Sequence, residues 1–510
     1  MKQYYLGIEF GSTRVKAVLI DGEHRIVKSG DYTWKSSLEN GVWTYHMEDV
    51  QTGLRTAIRN LGELPGAVSA MGISGMMHGY LAFDKDWNLL APFRTWQNTM
   101  TGEAAEQLTA EFGFNIPQRW SIAHLYQAVL NGEAHVKNIA HITTLAGYVH
   151  YLLTGENVLG VGEASGMFPI DSETLDYDAA MLEKFDALLA KYGFAWTARS
   201  VLPKVLMAGQ AAGKLTQAGR TFLEGLLPAG IPFCPPEGDA GTGMTATNAV
   251  APRTGNVSAG TSIFAMVVLE KPLSKVYQEI DMVTTPSGKP VAMVHCNNCT
   301  NDMNAWVGLL GETAKLFGAE VSTGELFTKL YQKSLEGDAD CSGVLTYNYM
   351  AGEGVTHLDE GRPMVVRKPE SQFTLANFLR SQLYATMSTL KLGMDILAEE
   401  HVAIDSLTGH GGLFKTPVVG QKYMAAACRA PVTCMESAGE GGPYGMALLA
   451  SYLVQKKDGQ TLEQYLEAEV FADVKRTTLA PDPEDAAGFD RYLGWDRSAL
   501  AAETAAVNAF

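Results

Sequence analysis

The sequence predicts an α/β protein built from two halves that begin alike. The first observation is GIEFGSTRVKAVLID at residues 7–21, which has the pattern of a strand, a small-residue turn and a second strand. The second is GNVSAGTSIFAMVVLE, which repeats this pattern from residue 255. The third is that further strands and helical segments are predicted after each hairpin, as in α/β proteins.

The length of 510 residues favours two domains, because it exceeds what one ordinary core holds. The pattern is interrupted in NAVAPRTG, residues 248–255, and we place the boundary there. We expect one domain over residues 1–250 and a second over 251–510, with a peripheral helical extension from about residue 457.

The individual elements follow from local patterns. YYLGIEF, RVKAVLID and HRIVKSGDYTW predict an antiparallel meander, and AVSAMGIS and YLAFD predict two further strands. TGEAAEQLTAEFG, HITTLAGYVHYLLTG and FTLANFLRSQLYATMSTLKLGMDILAEE predict helices. IDSLTGHGGLFK predicts a strand that runs into a glycine turn, and APDPEDAAGF predicts a loop.

Composition excludes several classes of function. A formal net charge of −17 argues against coating nucleic acid or an anionic membrane. MKQYYLGIEF resembles a folded strand rather than a leader, and no window is apolar enough to span a membrane. Six scattered cysteines are typical of a reducing cytoplasm, where we expect the protein to act. Cys296 and Cys299 have CxxC spacing without further zinc ligands nearby, so a loop is favoured over a metal or redox site.

The two hairpin turns are candidate phosphate sites. We call Gly11-Ser12-Thr13 the first turn and Gly260-Thr261-Ser262 the second turn. Small residues let backbone N–H groups approach a phosphate, the hydroxyls add donors, and Lys16 adds charge to the first turn. Either turn alone is ordinary, but the repeat predicts two phosphate clamps.

Two carboxylates stand beside such small-residue stretches. Glu9 lies at the end of a strand next to the first turn, where a carboxylate can hold Mg²⁺ on a polyphosphate. Asp239, in PPEGDAGTGMTA, is the candidate base that accepts the proton of an attacking hydroxyl. A helix N-cap is the alternative role for Asp239.

Candidate ligand contacts complete the pattern. His78, followed by Gly79 at the end of a strand, can donate a hydrogen bond to a substrate hydroxyl. Trp96, Gln97 and Asn98 are flat and amide side chains of the kind that bind sugars. The turn in TGHGGLFK, with Lys415 close behind, lets backbone approach a flat ligand such as adenine, or simply initiates a helix.

In this order, these segments resemble the FGGY family of carbohydrate kinases, within the actin/hexokinase/heat-shock ATPase superfamily. The resemblance covers roughly residues 4–452. It is carried by GIEFGSTRVKAVLID, SGMMHG, FRTWQN, LLTGE with ASGMF, EGDAGTG, SAGTSIFAMV, LTGHGGLFKTPVVGQKYMAAACRAPV and EGGPYGMALLA. It implies two duplicated ribonuclease-H-like domains around a central cleft, and the tripeptide MHG is most similar to the xylulokinase branch.

The resemblance also implies roles for single residues. Asp239 is implied as the general base, and Glu9 and Asp239 as the Mg²⁺ site, directly or through water. The implied sugar-binding residues are Met77, His78, Trp96, Gln97, Asn98 and Asp239. The implied ATP-binding residues are Gly11, Ser12, Thr13, Lys16, Gly260, Thr261, Ser262, Gly411, Gly412 and Lys415.

The chain departs from the family pattern at four places. Glu9 stands where the family usually has aspartate, and Gln97-Asn98 replace an Asn-Asp pair after the tryptophan. The segment GEGVT at residues 352–356 stands where Gly-Glu-Arg-Thr-Pro is common, and Gly147 replaces an aspartate. These changes leave kinase chemistry in place and bear on which sugar is bound.

The resemblance implies a kinase that transfers the γ-phosphate of MgATP to the terminal hydroxyl of a ketose, with xylulose as the best match. The alternatives are a kinase for ribulose, L-xylulose, fuculose, glycerol or another polyol, a non-catalytic sugar sensor, and an ATPase acting on protein partners. Retention of Glu9 and Asp239 argues against a sensor, and the MHG motif argues against the ATPase. The expected partners are the sugar and MgATP, without nucleic acid or membrane, and a homodimer is left open.

Overall fold

The structure is a computed structural model that describes residues 3–436 and 441–509. Glu440, which opens the predicted EGGPYGMALLA segment, lies outside the described residues. No described helix is both long and apolar enough to cross a membrane.

The described strands are β1 Tyr4–Phe10, β2 Arg14–Asp21, β3 Ile26–Thr33, β4 Ser37–Glu39, β5 Val42–Thr44, β6 Val68–Gly75, β7 Leu81–Phe83, β8 His141–Thr143, β9 Val158–Gly160, β10 Lys204–Leu206, β11 Glu237–Gly238, β12 Thr254–Ala259, β13 Ile263–Val268, β14 Asp281–Thr284, β15 Pro290–Cys296, β16 Val344–Tyr347, β17 Met364–Arg367, β18 Ser406–His410, β19 Val432–Met435 and β20 Arg476–Leu479.

The described α-helices are α1 Met47–Asn60, α2 Gly102–Phe112, α3 Ser121–Leu130, α4 Leu145–Thr154, α5 Val161–Ala164, α6 Ala179–Leu189, α7 Ala198–Val201, α8 Gln217–Phe222, α9 Asp239–Ala246, α10 Asn301–Leu316, α11 Thr323–Ser334, α12 Leu375–Glu399, α13 Val419–Cys428, α14 Gly441–Gln455, α15 Leu462–Tyr465 and α16 Pro483–Ala509.

The chain forms two compact units, and each is made of separate stretches of sequence. Unit 1 comprises Met1–Ala251, Glu270–Val291 and Glu440–Val474. Unit 2 comprises Pro252–Leu269, Ala292–Gly439 and Lys475–Phe510. The chain passes into unit 2 near the predicted boundary at 250 and 251, but two later segments return to unit 1.

The main sheet of unit 1 has the strand order β11-β6-β1-β2-β3. β1, β2 and β3 form the predicted antiparallel meander, and β6 and β11 extend it with parallel strands. α1 packs against β3, where Gly30 leaves no room for a side chain beside Ala57 and Asn60.

Two glycines on neighbouring strands allow α14 to lie close to this sheet. Gly7 of β1 and Gly72 of β6 are register partners. A β-carbon at Gly7 would overlap the backbone of Pro443 and Ala447, and one at Gly72 would overlap the side chain of Met446. The close contact between α14 and the sheet therefore depends on these two glycines and on the small residues of GGPYGMALLA in the helix.

The main sheet of unit 2 contains β15, β13, β12, β18, β19 and β20 in this order among the described residues. β12 and β13 are antiparallel, whereas β12, β18 and β19 run parallel. An antiparallel hairpin beside parallel strands is also the arrangement around β1 and β2. The described sheets therefore contain the repeated hairpin that the sequence predicts.

Two local predictions were wrong. The predicted helix HITTLAGYVHYLLTG begins only at Leu145, because His141–Thr143 forms β8 and Thr144 caps the helix by accepting from Gly147 N–H. The predicted loop APDPEDAAGF is helical from Pro483, since Asp482 accepts from Asp485 N–H at 3.0 Å and proline suits the first helical position.

The C-terminal segment from about residue 457 includes the strand β20 as well as helices. The last helix, α16, buries Phe489, Tyr492 and Asp496 within unit 2.

Candidate active site

Three parallel strands of unit 1 align the acidic residues of the candidate site. Ser74 of β6 is the register partner of Glu9 in β1 and of Glu237 in β11. Because parallel strands end at the same edge of a sheet, the residues after β6 and β11 emerge beside Glu9. Met77, His78 and Asp239 are these residues, so the structure brings together groups up to 230 positions apart.

Asp239 is the first residue of α9, and the N-cap position is occupied by Gly238. Its Oδ1 accepts hydrogen bonds from the backbone N–H of Met77 at 3.2 Å and of Ala240 at 3.0 Å. The side chain keeps access to solvent, but desolvation by the surrounding protein raises the pKa of its carboxyl, against the effect of these two bonds. A carboxylate with a raised pKa and an open side can act as a general base.

Glu9 stands opposite Lys16 in the β1–β2 pair. The pKa of Glu9 is raised to about 8, mainly by burial and also by the charge of Asp239, while the charge of Lys16 opposes the shift. Among the described residues, its buried Oε2 has no hydrogen-bond partner. This oxygen is therefore placed to meet a cation or a water molecule rather than a protein donor.

Glu9 and Asp239 suit a magnesium ion that is also held by substrate phosphates better than one that the protein binds by itself. In the described part of the chain, no group of three or more His, Cys, Asp or Glu side chains is arranged to hold a metal. Mg²⁺ is commonly held by one or two carboxylates together with substrate phosphates and waters. Glu9 with Asp239 matches that smaller requirement.

The MHG segment forms a strained turn next to Asp239. His78 has φ +70° and Gly79 has φ +86°, so the turn uses backbone conformations that favour glycine. Nδ1 of His78 lies 3.0 Å from the carbonyl oxygen of Gly166, and the ring stacks on Trp120. Because a carbonyl oxygen only accepts, Nδ1 is the donor in this bond, which leaves Nε2 as an acceptor when the ring is neutral.

The Trp96–Asn98 loop is joined to this turn through Tyr80 and Arg94, whose backbones exchange hydrogen bonds. Trp96 is exposed, and Gln97 Oε1 is buried without a partner among the described residues. Asn98 differs, since its amide bonds both the N–H and the carbonyl of Trp43 at 2.8 Å. The Asn98 side chain therefore holds the loop in place, while Trp96 and Gln97 remain the better candidates for sugar contacts.

In the first turn, the backbone carbonyls are all occupied by aromatic residues. Trp34 Nε1 donates to Gly11 at 2.7 Å, Tyr45 OH donates to Ser12 at 2.6 Å, and Trp34 N–H donates to Thr13 at 3.1 Å. In a trans peptide the carbonyl and the next N–H point in opposite directions. The N–H groups that follow these carbonyls are thus turned away from the aromatic residues, as a phosphate site requires.

The second turn lies next to the predicted adenosine turn within unit 2. Ser258 of β12 and His410 of β18 are register partners, so both turns leave the same edge of the sheet. Gly411 has φ +98°, and a β-carbon there would overlap the carbonyl of Ala259, the residue before Gly260. Gly412 follows in the same exposed turn, and Lys415 N–H closes it by donating to Gly412 at 3.2 Å.

Two acidic residues of the site escaped the sequence interpretation. Glu237 and Glu163 are both fully enclosed, and Glu237 Oε2 accepts from Glu163 N–H at 2.9 Å. Burial raises the pKa of Glu237 to about 8. Burial also raises the pKa of Glu163 far above its usual range, helped by the charges of Asp239 and Glu237 and opposed by Thr144.

Glu163 lies beside the residue that precedes the candidate base, and Glu237 is two positions before that base in the sequence. A β-carbon at Gly238 would overlap Glu163 Oε2 and lie 2.6 Å from Met77 Cγ, so Glu163 and Met77 flank the residue before Asp239. Glu237 could have been predicted from the sequence, because it stands two residues before Asp239. Glu163 could not, since its only distinguishing feature in the sequence is that it directly precedes ASGMF.

The six cysteines are free thiols. Burial raises the pKa values of Cys296 and of Cys299, the latter to about 12. Buried thiols of this kind are unreactive, so the CxxC spacing marks structure rather than redox chemistry.

Comparison with known proteins identifies the family. Residues 4–245 match the N-terminal domain, and residues 255–454 the C-terminal domain, of the FGGY family of carbohydrate kinases. The xylulose kinase of Haemophilus influenzae is 23% identical over 464 residues, which cover 86% of this chain and 89% of that protein. The glycerol kinase of Thermococcus kodakarensis is 27% identical over 291 residues, and the match spans only 54% of that protein's length and 53% of this chain.

The fold is likewise shared. The crystal structure of ligand-bound xylulose kinase from Lactobacillus acidophilus matches with a TM-score of 0.80 at 16% identity, covering 98% of this chain and 99% of that one. The predicted α/β class with two domains of the actin/hexokinase type is confirmed. The chain belongs to the FGGY family of carbohydrate kinases, phosphotransferases that use an alcohol group as acceptor.

Proposed function

We propose that this protein transfers the γ-phosphate of MgATP to the terminal hydroxyl of a ketose, with xylulose as the substrate and xylulose 5-phosphate as the product. The observation that carries the proposal is the placement of Asp239 beside Met77, His78 and Glu9 at one edge of the unit 1 sheet. Similarity to a xylulose kinase over 86% of the chain supports the choice of sugar.

Asp239 accepts the proton of the attacking hydroxyl. Its Oδ1 is bound by Met77 N–H, which orients the carboxylate, and its pKa is raised by desolvation. Positioning supplies most of the rate in phosphoryl transfer, because little covalent chemistry is left to the protein. Met77, His78, Trp96 and Gln97 hold the sugar so that its terminal hydroxyl meets Asp239.

The two turns bind nucleotide phosphates through N–H groups, with Lys16 adding positive charge at the first turn. Gly411 and Gly412 accommodate the adenosine, and Lys415 closes that turn. Sugar binding is thereby assigned mainly to residues 1–250 and ATP binding to residues 251–510.

Magnesium enters with ATP as part of the substrate. Glu9, with its unpaired Oε2, binds the ion directly or through water, and Asp239 is the second acidic group in reach of it. The ion neutralises charge on the phosphates during transfer.

The proposal is tested by measuring ADP release from purified protein with MgATP across a panel of pentuloses, hexuloses and polyols, with a no-sugar control. We expect strong stimulation by xylulose and loss of that stimulation in Asp239→Asn. The proposal would be contradicted if ATP were hydrolysed at the same rate with and without sugar. It would also be contradicted if the protein bound nucleotide but released no ADP with any sugar. The second outcome would instead favour a sugar sensor.

A kinase for glycerol or another polyol is the second candidate. The observation that favours it is the 27% identity to a glycerol kinase over 291 residues, which is higher than the identity to the xylulose kinase. Stimulation by glycerol but not by any ketose would decide for this alternative.

A further inference from the structure

The loop between Cys296 and α10 is hydrogen-bonded to the second turn. Residues 297–300 connect β15 to α10, and all the contacts considered below lie within unit 2. Cys299 N–H donates to the carbonyl of Thr261 at 3.0 Å. Thr300 donates to the carbonyl of Gly260 twice, from its N–H at 3.1 Å and from its hydroxyl at 2.8 Å.

These bonds determine which way the second turn presents its donors. The carbonyls of Gly260 and Thr261 both point towards the 297–300 loop. Since the peptides are trans, the N–H groups of Thr261 and Ser262 point to the opposite side. The loop therefore sets the orientation of the two N–H groups that we assign to nucleotide phosphate.

The loop itself is held by one buried carboxylate, Glu353. Its Oε2 accepts from the backbone N–H of Asn297 at 3.0 Å, the backbone N–H of Asn298 at 3.3 Å and the Asn298 side-chain amide at 3.2 Å. Glu353 is 1% exposed, and burial raises its pKa to about 7 in spite of these donors. Glu353 forms no ion pair with a described cation. Three of the hydrogen bonds that its carboxylate accepts come from this loop, and a further one comes from the backbone of Val355.

The segment around Glu353 is shaped for the same loop. The Asn298 carbonyl oxygen Oδ1 accepts from the N–H groups of Met350 and Ala351 at 2.8 Å and 3.0 Å, and Asn297 Nδ2 donates to Gly352 at 2.8 Å. Asn348 Nδ2 donates to the carbonyl of Cys299 at 2.8 Å. The two segments thus form a continuous hydrogen-bonded layer that ends at the second turn.

We propose that Glu353 is a positioning residue for nucleotide binding, which acts through the 297–300 loop on the N–H groups of Thr261 and Ser262. It does not touch the nucleotide itself. The inference rests on the proposed role of the second turn as a phosphate site. It gives two segments a part in nucleotide binding: GEGVT at residues 352–356, which the departure from the family pattern connected with the choice of sugar, and the Cys296–Cys299 loop, for which the sequence predicted no chemistry.

The test compares Glu353→Ala and Glu353→Gln with Glu503→Ala. Glu503 is the matched control, because it is also buried in unit 2 and accepts from a backbone N–H, that of Arg362 at 2.5 Å. Two quantities are measured on the full chain: the Kd for a magnesium complex of a non-hydrolysable ATP analogue, by calorimetry, and amide hydrogen exchange at Cys299 and Thr300, whose N–H groups donate to the carbonyls of the second turn.

We expect Glu353→Ala to weaken nucleotide binding about tenfold or more, because three donors lose their acceptor and the loop relaxes. Amide exchange at Cys299 and Thr300 should accelerate in the same variant, because their bonds to the second turn open more often when the loop relaxes. Glu353→Gln, which keeps one acceptor oxygen, should recover most of the affinity. Glu503→Ala should lower the melting temperature while leaving the Kd and the amide exchange at Cys299 and Thr300 unchanged.

Equal Kd values for wild type and Glu353→Ala would overturn the inference, as would equal weakening in Glu353→Ala and Glu503→Ala. If Glu353→Ala does not fold, unchanged affinity and exchange in Glu353→Asp, whose carboxylate is one methylene shorter and is withdrawn from the three donors, would count against it in the same way. Absence of nucleotide binding by the wild-type protein would instead overturn the proposed function, while the exchange measurement would still test the link from Glu353 to the second turn.

Discussion

The backbone N–H of Met77 donates a hydrogen bond to Asp239 Oδ1 over 3.2 Å, across 162 positions of sequence. This bond joins the predicted sugar motif to the predicted base, and it uses Oδ1, so Oδ2 is the oxygen that would meet the substrate hydroxyl in the proposed reaction. Because the donor is a backbone N–H, the bond does not depend on the Met77 side chain, whereas at position 239 it needs a side chain with an acceptor oxygen.

Asp239→Asn should abolish most of the turnover. The amide keeps the shape and can still accept from Met77 N–H, but it cannot accept the proton of the hydroxyl. We expect kcat to fall by about 10²-fold or more, with nucleotide affinity kept, as measured by sugar-dependent ADP release and calorimetry. Turnover close to that of the wild type would rule out Asp239 as the base.

Gly442→Ala should damage the site through Glu9. A β-carbon at Gly442 would overlap Glu9 Oε2 and lie 3.1 Å from Thr242 Oγ1, so the carboxylate must move. We expect kcat/KM for MgATP to fall about tenfold or more, and the Mg²⁺ concentration for half-maximal rate to rise. The test is a Mg²⁺ titration of the initial rate.

Gly243→Ala is the matched control for that substitution. A β-carbon at Gly243 meets no atom within 4 Å, and alanine stabilises a helix interior by about 1 kcal/mol over glycine. Activity and Mg²⁺ dependence should therefore stay at wild-type values. Equal behaviour of the Gly442 and Gly243 variants would refute the close contact between Gly442 and Glu9.

Glu163→Gln should be tolerated, in contrast to Asp239→Asn. Because burial raises the pKa of Glu163 far above its usual range, we expect this side chain to carry a proton at neutral pH. Glutamine reproduces a neutral group of the same shape, so kcat should stay within about threefold of wild type. A loss comparable to that of Asp239→Asn would show that the ionised form of Glu163 is required.

Asp496 should make the stability of the protein fall as pH rises. It is buried in α16, and burial raises its pKa to about 7, with Arg497 opposing and Glu503 adding to the shift. The unfolded chain loses this proton near pH 4 whereas the folded chain keeps it to about pH 7, so the folded state binds more protons between these values. Stability from this group is complete below pH 4 and is lost as pH rises to about 7.

Asp496→Asn should remove that dependence on pH. At pH 8 the free energy of unfolding of the variant should therefore exceed that of wild type, by a few kcal/mol at most, because each pKa unit corresponds to about 1.4 kcal/mol. Denaturant unfolding at pH 5 and pH 8 measures the difference, with the exposed Asp458→Asn as control. An identical pH dependence in wild type and Asp496→Asn would contradict the prediction.

Local patterns in the sequence predicted the two hairpins, the long helix α12 and the strands β6 and β18, since alternation and small-residue turns depend on near neighbours. They also identified Glu9 and Asp239 as candidates, because each acid stands beside glycines. The same local reasoning was wrong at His141–Thr143 and Pro483–Phe489, where a cap decides the start of a helix.

Only the tertiary structure decided which of the candidates act together. Strand register places Glu9, Ser74 and Glu237 in one row, and packing encloses Glu163, which no motif singled out. The structure also shows that the Asn98 amide is hydrogen-bonded to the backbone of Trp43, and that Glu353 is linked to the second turn through the 297–300 loop. Strand register, burial and hydrogen bonds between distant segments all depend on how the helices and strands pack. A sequence pattern reflects only residues close together in the chain, so it cannot show which distant segments come into contact.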